Sequence, residues 1–235
     1  MPLLLDLIDQ VRQDEELFGA DGPCPVRVEP GANPRLLLVT GANAGGKSLV
    51  CRVLNARAHE IPKETGGRFE FMRVGMGKRT APGMERAFIF GGNEDRESTG
   101  RISANAVKGG LNTCRGRKHP HVLCLDEPDI GLSEEMQGGL GAALAAFAAD
   151  LPAHTEGLIV VTHSRHVVRP LLPLAPWCLR AGDDLRPTAE WVAAAPVPAT
   201  AEDFLGLGAA ATARLRAVQA VLDARRPDPA APVRG

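Results

Sequence analysis

The chain has 235 residues, a formal net charge of -1 and 44% hydrophobic residues. This length and composition allow one large domain with a buried core, and the near-neutral charge excludes a global basic field for nucleic acid. Five cysteines occur without any C-x-x-C spacing, two of them (Cys51 and Cys124) inside apolar stretches. This usage predicts reduced core thiols.

The first eighteen residues carry leucine, isoleucine and valine at helical spacing, which predicts a leader helix packed on the core. They lack a basic leader and meet the acidic Asp6, so we expect no signal peptide. No uncharged apolar run approaches the roughly 20 residues that cross a bilayer. The sequence therefore predicts a cytoplasmic protein with no membrane partner.

A phosphate-binding loop is the most informative feature of the chain. A short strand is predicted at Val26 to Val28 and a buried strand at Leu36 to Thr40. Residues 41–48 follow directly and fit the pattern G-x-x-x-x-G-K-[ST]. The predicted nucleotide-binding residues of this phosphate loop are Gly41, Ala42, Asn43, Ala44, Gly45, Gly46, Lys47 and Ser48.

The residue types of the phosphate loop suit an anion. Glycines let backbone N–H groups turn towards phosphates, and the next helix, predicted at Leu49 to Ala58, points its positive end at the same site. Lys47 would contact the β- and γ-phosphates, and Ser48 would bind a magnesium ion. The alternative is a chance glycine-rich turn, which the preceding strand and following helix disfavour. The sequence thus predicts binding of a nucleoside triphosphate.

The middle of the chain has a less regular pattern. Short apolar runs mixed with charge at Ile61 to Arg86 predict strand pieces joined by loops, and Ala87 to Phe90 is a predicted strand. The polar segment Gly91 to Gly100 then leads to a helix predicted from Arg101 to Thr113. The basic run Arg115 to His119 after it is either a solvated loop or a local contact for nucleic acid.

Buried strands and helices alternate in the next part. Val122 to Leu125 and Leu158 to Val161 are predicted strands, and the alanine-rich segment Glu134 to Leu151 is a predicted helix. Strands that are apolar at every position and alternate with helices indicate a largely parallel sheet covered on both faces.

The last part of the chain is predicted to hold a hairpin and a helix. Trp177 to Arg180 and Thr188 to Val192 would be its strands, joined through a turn at 181–184. Residues 201–226 are predicted to be mostly helical, and residues 227–235 a frayed tail. We expect residues 1–226 to form one domain.

Polar residues follow two of the buried strands. Asp126 and Glu127 end one of them, and we expect an adjacent parallel strand to place this pair beside the phosphate loop. In a nucleotide site the first carboxylate orients magnesium and the second accepts a proton from the attacking water. The alternative is an acidic pair that only ends a strand. His163 follows Thr162 at the end of another strand, where it either caps the surface or contacts the γ-phosphate.

Together these motifs resemble the nucleotide-binding domain of the ABC-type ATPases, most closely the MutS group. The resemblance covers residues 30–170 and depends on the order of the phosphate loop, the polar segment Phe88 to Gly100, the Asp126-Glu127-Pro128 run and the strand-end His163. It implies an α/β, three-layer P-loop NTPase fold with a largely parallel central sheet and a helical C-terminus. It also implies ATP and Mg²⁺ as cofactors, with Ser48 and Asp126 on the metal and Glu127 and His163 catalytic.

The resemblance further implies a homodimer that forms head to tail on ATP. In that family, residues between the phosphate loop and the acidic pair complete the site of a second subunit, and here Ser98, Thr99 and Gly100 match them. The alternative for Ser98 is an ordinary helix N-cap.

Several residues depart from the family pattern. No glutamine lies between Gly41 and Asp126, and Gly131-Leu132-Ser133 stands where the family often ends its loop with aspartate. The chain has no tyrosine, so the aromatic residue that often stacks on adenine would be Phe18 or would be absent.

Three functions are compatible with these motifs. The first is a free-standing MutS- or SMC-like ATPase of DNA metabolism, for example of a phage or mobile element, with DNA or a DNA-bound protein as partner. The second is the ATPase subunit of a membrane transporter, which the missing transporter signature disfavours. The third is a nucleotide-dependent binding switch with little hydrolysis, which Glu127 disfavours because a pure binding module needs no base.

Overall fold

The part of the chain that the structure describes is built around a six-stranded sheet with the order β1-β6-β2-β5-β4-β3. The computed structural model describes residues 3–75 and 98–226. β1 runs antiparallel to β6, and the other neighbouring strands are parallel. The strands are β1 Val26–Glu29, β2 Asn33–Gly41, β3 Glu70–Gly75, β4 His121–Asp126, β5 Thr155–Val161 and β6 Pro176–Ala181.

Helices cover both faces of this sheet. The first four described helices are α1 Leu3–Gln13, α2 Glu15–Phe18, α3 Lys47–Thr65 and α4 Thr99–Gly116. They are followed by α5 Glu134–Ala149, α6 Arg165–Val168 with a 3-10 turn at Arg169–Leu174, α7 Thr188–Ala193 and α8 Ala201–Ala224.

Alternation along the buried strands divides the core into two layers. Leu37 and Val39 of β2 pack with α1 and α3 on one face, whereas Leu36 and Leu38 pack with α4 and α5 on the other. Successive side chains of a strand point to opposite faces, so a strand that is apolar throughout must be covered twice. The α/β three-layer fold of a P-loop NTPase, with its helical C-terminus, is confirmed.

Several predicted elements are present with altered bounds. The leader helix is interrupted at Asp14, whose carboxylate accepts a hydrogen bond from the Leu17 N–H and begins α2. The helix after the phosphate loop runs through Pro62 and ends before Gly66, which adopts φ 67°. The predicted strand Ala87 to Phe90 and most of the segment Gly91 to Gly100 lie outside the described residues.

The expectation that the Asp126 strand adjoins the phosphate-loop strand is wrong. β5 lies between them, because Val160 of β5 pairs with Leu38 of β2 on one side and Leu125 of β4 on the other. A fully apolar pattern shows that a strand is buried on both faces, but it does not specify its neighbours. The two strands beside the phosphate-loop strand are β6 and β5, and β5 ends at Val161, two residues before His163.

The predicted carboxy-terminal hairpin is also wrong. β6 pairs with β1 and β2, and the segment predicted as its partner strand forms α7 instead. The buried residues of that segment are Thr188, Trp191 and Val192, a spacing of three and four that fits a helix. Glu29 of β1 fixes its start by accepting hydrogen bonds from the Thr188 N–H and hydroxyl.

The cysteine prediction is confirmed, since all five thiols are free and buried. None of the helices in residues 3–75 and 98–226 combines the length and hydrophobicity needed to cross a bilayer.

A buried guanidinium group joins β6 to α7. Arg180 is 2% exposed and lies 4.6 Å from the ring centre of Trp191. One of its nitrogens donates to Asp184 at 2.6 Å. Hydrogen bonds from Arg186 and Arg180 lower the pKa of Asp184 to about 2, although partial burial opposes this shift. Asp184 therefore compensates a charge that water does not reach.

We expect Asp184→Asn to lower the free energy of unfolding by about 1 kcal/mol at pH 7, a value limited by the exposed side of the carboxylate. The native pKa lies below the ordinary value of 3.8, so this stabilisation is complete above that pH and disappears as the pH falls to about 2. Urea titrations of both proteins from pH 7 down to pH 2 test this. The matched control is Asp21→Asn, at an exposed position. The prediction would be contradicted if the difference in free energy of unfolding between wild type and Asp184→Asn did not decrease in acid.

Candidate nucleotide-binding site

The phosphate loop connects the end of β2 to the start of α3, and close packing restricts it to glycine at two positions. Gly41 and Gly46 have φ of 140° and 100°, values that L side chains rarely adopt. A Cβ atom on Gly41 would lie 2.0 Å from the Ala181 carbonyl oxygen, and one on Gly46 would lie 2.9 Å from the Cys24 sulfur. The glycines of the sequence motif therefore reflect both backbone angle and space.

The turn after β6 packs against the phosphate loop at Gly45. Gly182 has φ 100°, and a Cβ atom there would lie 3.1 Å from the Cα of Gly45. Ala44, which has a side chain, also adopts a positive φ of 58°, a conformation that costs about 1–2 kcal/mol. The loop conformation is thus set by its neighbours as well as by its own sequence.

The side chain of Lys47 is almost entirely buried at the loop. It is 6% exposed, and its ammonium group donates to the carbonyls of Gly41 at 3.2 Å and Ala42 at 2.9 Å. Burial lowers the pKa of Lys47 to about 8, and the nearby carboxylates, Glu127 first, oppose that shift. Lys47 is therefore protonated at pH 7, and its ammonium group is held by the carbonyls at the start of the phosphate loop.

His163 connects Lys47 to Glu127. The Lys47 ammonium lies 3.0 Å from His163 Nδ1, and His163 Nε2 lies 2.6 Å from Glu127 Oε1. His163 Nδ1 also lies 3.0 Å from the Gly41 carbonyl oxygen. Where the charged Lys47 donates to Nδ1, this nitrogen accepts, and Nε2 carries the hydrogen that is donated to the carboxylate. This hydrogen bond lowers the pKa of Glu127, which keeps the carboxylate ionised and able to accept a proton.

The backbone of Glu127 is held in the left-handed region. Its φ is 53°, and its N–H donates to the Val161 carbonyl at 2.8 Å. A non-glycine residue in this region costs of order 1–3 kcal/mol and is concentrated at functional sites. The turn directs the Glu127 side chain back across the end of β5 to His163.

Asp126 has a different environment from its neighbour. Its carboxylate Oδ2 accepts from Arg73 Nε at 3.2 Å and also from Arg73 Nη2. The effect of Asp126 on Lys47 is a through-space attraction that is smaller than that of Glu127. The structure therefore brings Lys47, His163 and Glu127 into contact and leaves Asp126 paired with arginine on the far side of β5.

Ser98, Thr99 and Gly100 lie at the start of α4. The Ser98 hydroxyl accepts from the Arg101 N–H at 3.4 Å, as an N-cap does. A Cβ atom on Gly100 would lie 2.6 Å from the Gly131 carbonyl oxygen, so this helix start packs against the loop that follows Glu127. The three residues do not line the cavity at the phosphate loop of their own chain.

Hydrogen bonds outside the motifs connect the segment after β5 to the loop after β4 and to α5. The Thr162 hydroxyl donates to Asp129 at 2.7 Å, and the Ser164 hydroxyl donates to Gln137 at 2.7 Å. Burial raises the pKa of Asp129. Sequence reasoning missed these contacts and also Arg73, because each partner is distant in sequence and none belongs to a local motif.

Part of the basic run Arg115 to His119 has structural partners. Arg117 and His119 both contact the Glu70 carboxylate, the latter at 2.9 Å. Arg115 lies 5.8 Å from the ring centre of Phe147. These three residues therefore have partners within the fold rather than forming a simple solvated loop, and a contact of this run with nucleic acid stays a prediction.

A cavity of about 310 Å³ opens over the phosphate loop, which is within the usual range for small-molecule sites. Phe18 is 3% exposed in the core and does not line it, so the suggestion that Phe18 stacks on adenine is wrong. Among the described residues, no phenylalanine or tryptophan reaches the cavity. Its lining is Cys24, Asn43, Ala44, Gly45, Gly46, Lys47, Ser48, Leu49, Arg52, Glu127, His163, Ala211, Arg214, Leu215 and Val218.

The residues of this cavity fit a magnesium nucleotide. The first turn of α3 has no side-chain cap at Gly46. The Leu49 N–H donates to the Gly46 carbonyl at 2.9 Å, and the N–H groups of Lys47 and Ser48 before it can donate to phosphate oxygens. Within the described ranges, no group of three or more metal-ligating side chains occurs. That is compatible with Mg²⁺, which is usually held by one or two protein oxygens together with water and substrate phosphates.

Comparison with known proteins gives a remote similarity. No protein-family model and no curated protein matches the sequence. Among solved structures, the Orc1 protein of Aeropyrum pernix in complex with DNA is similar, with 18% identity and a TM-score of 0.40. The match covers 95% of this chain and 60% of that chain. Similarity at this level does not assign a function.

We expect Gly41→Ala to lower the free energy of unfolding by about 3 kcal/mol or more, because a strained φ combines with a backbone clash. The matched control is Gly66→Ala, since Gly66 has φ 67° but no atom of the described residues lies within 4 Å of an added Cβ. That variant should lose only the strain of about 1–2 kcal/mol. Chemical denaturation measures both, and equal losses would show that packing against Ala181 does not constrain the loop.

Proposed function

We propose that this chain binds ATP with magnesium and hydrolyses it to ADP and phosphate. The contact of Lys47, His163 and Glu127 at the mouth of the phosphate-loop cavity carries the proposal. It joins a phosphate-binding cation to a carboxylate that is ionised and able to act as a base. A site for binding alone would not need that carboxylate.

Each residue has a defined role in the proposed reaction. The phosphate loop and Lys47 bind the β- and γ-phosphates. Glu127 accepts a proton from water as the water oxygen bonds to the γ-phosphorus and the bond to the bridging oxygen breaks. His163 holds the carboxylate through its Nε2–H. It would donate to the γ-phosphate from Nδ1 after that nitrogen exchanges the Lys47 contact and takes up a proton from solvent. Ser48 would hold the magnesium ion, which would neutralise phosphate charge, and Asp126 would take part by exchanging its contact with Arg73.

We further propose that the chain belongs to the ABC-type ATPases near the MutS group and forms a head-to-tail homodimer on ATP. The order of the motifs supports this assignment. Ser98 and Thr99 are exposed and lie at the start of an 18-residue helix, so a second copy has access to them. In that arrangement they would contact the γ-phosphate bound by the partner.

A role in DNA metabolism completes the proposal. It depends on the resemblance of the phosphate loop and acidic pair to the MutS group, and it makes DNA or a DNA-bound protein the partner.

We expect Glu127→Gln to lower kcat for ATP hydrolysis by about 10²–10⁴-fold, the usual effect of losing a general base, while ATP still binds. Lys47→Ala should abolish detectable ATP binding. Phosphate release and equilibrium binding of ATP measure these effects separately. Unchanged affinity in Lys47→Ala, or unchanged kcat in Glu127→Gln, would refute the assigned chemistry.

The dimer is tested on the Glu127→Gln background, where slow hydrolysis should allow it to accumulate with ATP and magnesium. Light scattering should show the doubled mass. Addition of Ser98→Arg should restore the monomer without changing ATP affinity, because the residue acts on the partner's nucleotide. A Glu127→Gln protein that stays monomeric at saturating ATP would exclude the sandwich, and a dimer that tolerates Ser98→Arg would leave Ser98 as a helix cap.

Double-stranded DNA should raise the steady-state ATPase rate several-fold, and the increase should fall with salt concentration because phosphate contacts release counterions. Lys47→Ala purified in parallel is the control for contaminating ATPases. A rate that is the same with and without DNA would remove DNA as a direct partner.

A further inference from the structure

We propose that the carboxy-terminal helix α8 forms the wall against which the base of the bound nucleotide lies. This inference depends on the proposed function, because it concerns the same nucleotide. It assigns a role to Ala211, Leu215 and Val218, which no sequence motif identifies.

The cavity over the phosphate loop has two chemically different sides. One side is the loop with Lys47 and Ser48, which suits phosphates. The other includes the aliphatic side chains of Ala211, Leu215 and Val218 from one face of α8. A triphosphate bound at the loop places its sugar and base in the remaining space, and a flat apolar base gains free energy by covering aliphatic surface.

Arg214 attaches this wall to the phosphate loop. Its guanidinium donates to the Ala44 carbonyl at 2.7 Å and to Asp183 in the turn after β6 at 2.8 Å. Its side chain is only 21% exposed, and Ala44 is the non-glycine residue of the loop that has a positive φ. The helix is therefore fixed relative to the loop, although 170 residues separate Arg214 from Ala44.

The exposure of α8 also favours a ligand. Only Val218 of its 24 residues is buried, yet Leu215 is 60% exposed while lining the cavity. A bound base would cover Leu215. In contrast, Leu205 on the same helix is 80% exposed and lies outside the cavity lining.

The experiment compares the affinity of ATP with that of inorganic triphosphate by calorimetry. Ala211→Trp fills the space for the base, and Leu215→Asn removes the apolar surface without adding charge. Both should weaken ATP at least about tenfold, which corresponds to about 1.4 kcal/mol, and leave triphosphate affinity within about twofold. Matched controls are Ala213→Trp, at an exposed position outside the cavity, and Leu205→Asn.

Three results would overturn the inference. The first is a wild-type protein that binds ATP no more tightly than triphosphate, and the second is a Leu215→Asn variant with the wild-type affinity for ATP. The third is an equal loss of affinity for ATP and for triphosphate in both cavity variants. Lys47→Ala separates this inference from the proposed function, because it should weaken both ligands. If Lys47→Ala weakens neither, the proposed function fails. If it weakens both while the α8 variants bind ATP normally, only the role of α8 fails.

Discussion

The burial of the Lys47 ammonium group constrains the edge of the sheet at which the phosphate loop lies. Lys47 is 6% exposed, and a cation removed from water is costly unless oxygen or nitrogen acceptors replace its hydration. The carbonyls of Gly41 and Ala42 and the ring of His163 supply those acceptors. The lowered pKa of Lys47 shows that this replacement is incomplete. An anionic phosphate, which is the proposed ligand, would supply the remaining compensation for the buried charge of Lys47.

The sheet order explains why histidine is part of this arrangement. β5 lies between the strand of the phosphate loop and the strand of the acidic pair, so His163 emerges between Lys47 and Glu127. The left-handed turn at Glu127 and its bond to Val161 bring the carboxylate back over β5. Asp126 does not make this turn and stays with Arg73. Two adjacent carboxylates thus acquire different environments, which is a common way for a site to separate their roles.

The phosphate loop is also supported by residues late in the chain. The turn after β6 touches Gly41 and Gly45 and holds Arg214 through Asp183. Arg214 in turn donates to Ala44 within the loop. The loop, the turn and α8 are thus connected by two hydrogen bonds of Arg214 and by close backbone packing.

The sequence by itself determined the local parts of this protein. The phosphate loop and the buried strands follow from spacing and hydrophobicity, because glycine geometry and two-sided burial leave clear local patterns. Sequence reasoning identified Lys47, Glu127 and His163 individually, and it placed helices on both faces of a parallel sheet. The tertiary structure decided the neighbours: β5 between β2 and β4, helix rather than strand at Thr188–Ala193, and Arg214 at the loop. These features depend on pairing energies between segments far apart in the chain, which a local pattern does not encode.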